Sequence, residues 1–172
     1  IAVASTKAFT TQCALLLLMA ARMGLSRGTL EPERARDLTR ALASLPEDAA
    51  SALDCETRLQ RFASREAGAR HMLFIGRGVD TPLALEAALK IKEVSYLFSE
   101  AYPAGELKHG PIALITPGTP VVALATQPEL AARMLSAVQE VKARGARVLA
   151  VAPESLADRF AILADEVIRL PD

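Results

Sequence analysis

The stretch LKIKEVSYLFSEAYPAGELKHGP, residues 89–111, gathers side chains that can move protons and stabilise an oxyanion. At 100° per residue, Glu86, Lys90 and Glu93 fall within about a 60° arc of one helix. They form a narrow polar seam beside or among Leu83, Leu89, Val94 and Leu97. A solvated face with a Glu86–Lys90 pair at i,i+4 would produce the same pattern. The functional reading is a cleft lined by one carboxylate poised for proton transfer and a lysine that tunes it. The following loop favours that reading. Pro103, Gly105, Gly110 and Pro111 fix an irregular backbone. His109 sits inside it with Glu106 and Lys108 near, and histidine titrates close to neutrality. His71 opens a strand and reads as structural.

Other motifs are weaker. Gly76-Arg77-Gly78 is followed by Thr81 where a dinucleotide fingerprint would place its third glycine. A phosphate at the next helix N-terminus is physically reasonable. Asp80 would repel it, so Asp80 or Thr81 is expected to cap that helix instead. Ser5-Thr6-Lys7 reads as a helix N-cap that could also hold a sugar hydroxyl or a phosphate. No Walker loop, zinc pair or nucleophile elbow occurs. Cys13 and Cys55 are the only cysteines and provide neither a disulfide framework nor metal spacing. They fit a reducing compartment, and a cytoplasmic setting is expected.

These residues need elements to position them. Residues 7–24 read as a helix apolar on most sides and hence buried. Its apolar run, 13–21, is too short to span a bilayer. Glu31-Pro32-Glu33 starts a second helix with Leu38, Leu42 and Leu45 on its inner face, and Pro46-Glu47-Asp48 opens a third. Residues 1–68 are thus expected to be all-helical. After Gly68 the pattern changes to HMLFI at 71–75, a helix over 82–98, the loop 102–111, VVALA at 121–125, a helix over 130–144 stopped by Gly145, VLAV at 148–151, a short helix near 153–161, and a strand at 167–170. Continuous apolar strands alternating with helices predict a parallel sheet covered on both faces, an α/β/α three-layer sandwich over 69–172. The 172 residues carry zero formal net charge and few aromatics, which speaks against nucleic acid. The chain begins at Ile1 in what looks like the middle of a pattern, so a segment of a longer protein is expected.

At this point a family is recognisable. VASTKAFTTQ (3–12), FIGRG (74–78), ALEAALKIKEVSY (84–96) and EAYPAGELKHGPIALI (100–115) resemble the isomerase domains of the glutamine–fructose-6-phosphate transaminases. That isomerase is built from two sugar-isomerase (SIS) subdomains, each a five-stranded parallel sheet in an α/β/α sandwich. The resemblance implies the end of the first subdomain and connecting helices over 1–68, then most of the second over 69–172. It implies conversion of fructose 6-phosphate and glutamine-derived ammonia to glucosamine 6-phosphate, with no metal or organic cofactor. Glu93 would shuttle a proton between C1 and C2. Lys90 would stabilise the enolamine-type charge and tune Glu93. His109 would assist ring opening from the neighbouring subunit of a homodimer, and Val3 and Ser5 would contact the sugar. The glutaminase domain and the main phosphate loop would lie before Ile1, and the imine-forming lysine beyond Asp172. The isolated chain is therefore expected to be inactive. The loop Thr126-Gln127-Pro128-Glu129 is not serine-rich and Glu129 opposes an anion, so no second phosphate cradle is expected there. Another SIS enzyme, such as an amino-sugar-phosphate deaminase/isomerase or a fructosamine deglycase, or a non-catalytic phosphosugar-binding module, is the alternative.

Overall fold

The computed structural model describes residues 5–172, which divide into two compact units on either side of the Ser51–Ala52 junction. The first holds α1 (Thr6–Ser26) and α2 (Pro32–Ala52, closing one residue into the second unit). Ser5 caps α1, its hydroxyl accepting from Ala8 N–H at 3.4 Å. The expected burial of α1 does not hold. Only Ala21 is buried, while Leu16 is 63 % and Met23 56 % exposed. An apolar circumference calls for cover, but among the described residues of the first unit no element wraps it. The helix is also longer than the apolar run suggested. At 21 residues it is long and apolar enough to cross a membrane, a test that core helices of soluble proteins also pass.

Helix α2 corrects a second expectation. It runs straight through Pro46 rather than ending there, and the new start falls later, at a 3₁₀ turn Leu53–Cys55 followed by α3 (Glu56–Glu66). Proline removes one backbone bond to the preceding turn, but exposed carbonyls there can be hydrated.

The second unit is the α/β/α sandwich the apolar pattern predicts. Its sheet has five parallel strands in the order β2-β1-β3-β4-β5. They are β1 (His71–Gly76), β2 (Phe98–Pro103), β3 (Pro120–Leu124), β4 (Arg147–Pro153) and β5 (Glu166–Leu170). Three helices alternate with them, α4 (Asp80–Ser95), α5 (Ala131–Ala143) and α6 (Glu154–Ala161). Strand side chains alternate between two cores. Leu73, Ile75, Val121, Val148 and Ala150 pack with Met134, Val138 and Phe160 of α5 and α6. Met72, Phe74, Val122 and Leu149 pack with Phe62 of α3 and Ala84 and Ala88 of α4. Burial on both faces is why these strands read as unbroken apolar runs. Glu66, almost fully buried, pins α3 to the sheet by accepting from Arg147 of β4 and from Arg65 at 3.1 Å.

Strand β2 was not foreseen from residue pattern. Residues 96–98 belong to no helix, because Tyr96 takes up φ 60° and its N–H closes on Lys92 O at 3.1 Å. Helices usually make that left-handed stop with glycine, so nothing in the composition marks it. FSEAYP then forms an edge strand paired to β1 alone, where proline and polar residues are tolerated. Ser99 is buried and donates to Ala88 O at 2.7 Å, locking the edge onto α4.

Candidate active site

The turn after β1 aims α4. A Cβ on Gly76 would lie 2.5 Å from the backbone oxygen of Asp80, so only glycine lets the chain fold back this tightly. The expected capping by Asp80 or Thr81 is not what forms. Val79 occupies the N-cap without a side-chain bond. Asp80, 1 % exposed, instead accepts from Thr126 N–H at 2.9 Å and its hydroxyl at 2.5 Å. Thr81 donates to Gly76 O at 3.1 Å, and Gln127 Nε2 to Arg77 O at 2.6 Å. These bonds weld the exit of β1 to the exit of β3, on either side of the point where strand order reverses.

Held this way, α4 packs Ala84 and Ala88 on the sheet and turns Glu86, Lys90 and Glu93 outward. Lys90 Nζ lies 2.6 Å from Glu93 Oε2 and 3.5 Å from Glu86 Oε1. The three side chains are 19–28 % exposed, screened though not enclosed. The hydrogen bond to Glu93 raises the Lys90 ammonium above its ordinary value; burial opposes this, and the two carboxylate charges add to the rise. A cation therefore persists there across the neutral range. Leu85, Leu89 and Val94 flank the seam and are 54 %, 43 % and 62 % exposed. A groove of about 520 Å³ opens on the other flank of α4, lined by residues such as Ile91, Tyr96, Phe98 and Ala63, and does not include the seam.

The loop after β2 is more ordered than its composition implied. Ala104 N–H donates to Gly76 O at 2.8 Å, and two 3₁₀ turns follow, Leu107–His109 and Pro111–Leu114, joined at Gly110 with φ 147°. Leu107 is fully buried. His109 is 74 % exposed, 3.9 Å from Glu106. His71, at the start of β1, places Nε2 3.2 Å from Leu114 O.

Topology separates these groups within one chain. Glu93 lies near the end of α4, which delivers the chain to the start of β2; His109 follows the end of β2. They sit at opposite ends of a strand roughly 17–20 Å long. Val3 lies outside the described residues. Ser5 belongs to the first unit, where it is the α1 cap. The bonds from Thr126 to Asp80 and from Lys108 to Glu140 (2.8 Å) escaped sequence reasoning, since they join residues far apart in the chain with no periodic signal.

A model of the SIS domain matches residues 67–171. The chain is 48 % identical over 171 residues to a glutamine–fructose-6-phosphate aminotransferase (isomerizing) of Symbiobacterium thermophilum, and 46 % over 172 residues to one of Thermus thermophilus. The matches cover 99 % and 100 % of the chain but 28 % of each relative, so the chain spans little more than a quarter of their length. The C-terminal domain of a Francisella tularensis glucosamine-fructose-6-phosphate aminotransferase superposes with a TM-score of 0.94 at 36 % identity, covering 99 % of this chain and 48 % of that one. A glucosamine-6-phosphate deaminase of Thermotoga maritima superposes with a TM-score of 0.63 at 26 % identity, over 87 % of this chain and 43 % of its own. A family model that takes in more than half of the residues, on a sheet of the matching architecture, places the chain in the SIS domain family.

Proposed function

We propose that the chain serves as the acid/base portion of the isomerase in a longer glutamine–fructose-6-phosphate aminotransferase, which makes glucosamine 6-phosphate from fructose 6-phosphate and glutamine-derived ammonia. The observation that carries this is the Glu93–Lys90 contact at 2.6 Å on an outward helix face within a chain so similar to those enzymes. In this reading the sugar, opened and bearing nitrogen at C2, lies over the seam. The Glu93 carboxylate removes a proton from C1 as the imine nitrogen at C2 takes one up, leaving an enolamine; it then returns its proton to C2 while the C1 hydroxyl releases its own and becomes the aldehyde. The Lys90 ammonium stabilises the charge that develops between those steps. His109 opens the ring. Because it lies at the other end of its own sheet, it serves the seam of a second copy in a homodimer. By the resemblance, Val3 and Ser5 are the positions expected to meet the sugar. The glutaminase, the main phosphate loop and the imine lysine come from other parts of the longer polypeptide, and a cytosolic setting suits the two lone thiols. Alone, the chain would form no glucosamine 6-phosphate.

The test is Glu93→Gln in the full-length enzyme, assayed in deuterated water. Turnover and deuterium incorporation at C2 should fall by about 10²–10⁴-fold, with fructose 6-phosphate binding retained. Undiminished turnover would contradict the proton-shuttle role. The likeness to the Thermotoga deaminase favours a second reading, an amino-sugar-phosphate deaminase/isomerase on the same seam. Such an enzyme would release ammonia from glucosamine 6-phosphate and ignore glutamine.

A further inference from the structure

The loop bearing His109 is braced from several directions. Leu107, the first residue of its 3₁₀ turn, is fully buried in the core that also holds side chains of α5 and β3. The Arg77 guanidinium lies beneath Gly105, where a Cβ would come within 3.0 Å of Nη1. Lys108 reaches across to α5 and places Nζ 2.8 Å from Glu140 Oε1. Glu140 is well placed to hold it. Its side chain is 23 % exposed, against 65 % for Lys108, and the same oxygen accepts from Ser136 Oγ at 3.3 Å. The more enclosed partner is therefore the carboxylate on the helix, and the more exposed one is the lysine beside His109. A buried residue and a tethered residue in succession leave the imidazole as the exposed tip of the turn.

We infer that Glu140 is a positioning residue for His109: through Lys108 it fixes the angle at which the imidazole is presented to the substrate. This rests on the proposed ring-opening role of His109. No bond is made or broken by Glu140, and it touches no reacting atom. A half-exposed ion pair biases a turn by a small factor, so the expected effect is modest and confined to the step His109 performs.

The experiment uses the full-length enzyme and two substrates. Fructose 6-phosphate must be opened; 5-deoxyfructose 6-phosphate has no hydroxyl with which to close the furanose and enters already open. Glu140→Gln keeps the shape and the Ser136 contact but removes the charge. It should lower kcat/KM for fructose 6-phosphate by about two- to fivefold and leave the open substrate unaffected. Lys108→Glu combined with Glu140→Lys should restore most of the loss. Equal loss with both substrates, or no loss with either, would overturn the inference. His109→Asn in parallel separates the two levels. If it loses activity selectively on the ring-closed sugar while Glu140→Gln does not, the tether idea fails and the His109 role stands. If His109→Asn shows no such selectivity, both fail together.

Discussion

Lys90 sits between two carboxylates on successive turns, a pairing legible from spacing alone because every partner is within four residues on one helix. Asp165 shows the opposite case. Burial alone would push its carboxyl up, but hydrogen bonds from Lys142 Nζ (2.7 Å) and Val148 N–H (2.6 Å) prevail and hold it below its ordinary value. Those partners lie on α5 and β4, so no local pattern announced them. A carboxyl lowered by folding stabilises the native state above its unfolded pKa, about 3.9, and that contribution disappears as pH falls through the lower folded value. Asp165→Asn should therefore reduce the urea midpoint at pH 7 and matter progressively less below about pH 4. The carboxylate is over one-third exposed, so the shift is small. An undiminished difference at pH 3 would show that charge is not its contribution.

At the scale of elements, the strands buried on both faces and the long helices followed from hydrophobic period. The errors fall where a backbone choice left no mark. Tyr96 ends α4 in a left-handed conformation without glycine, hiding β2; Pro46 lies inside α2 without ending it. The exposure of α1 had another cause, since periodicity reports how apolar a helix is and not whether its unit holds anything to cover it. Gly76 is the converse, a glycine whose need is steric. Gly76→Ala would drive a methyl group against the Asp80 carbonyl, which is backbone and cannot rotate away. The expected cost is about 2–3 kcal/mol, read from urea denaturation followed by circular dichroism. A loss below about 0.5 kcal/mol would mean the β1–α4 turn relaxes freely and does not aim α4.

At the scale of the molecule, parallel pairing of β1 and β2 fixes the geometry of the proposed chemistry. With α4 returning between them, Glu93 must lie at one end of the sheet and His109 at the other. Neither spacing nor composition displayed that separation; it emerged once β2 was in place. If both act on one sugar, they come from different copies. Full-length chains carrying Glu93→Gln and His109→Asn, each inactive alone, can be co-expressed at equal levels and the mixed dimers assayed for glucosamine 6-phosphate. Random pairing gives heterodimers with one doubly altered and one intact site, so the account predicts about a quarter of normal activity. Activity no greater than that of the two parents would contradict it.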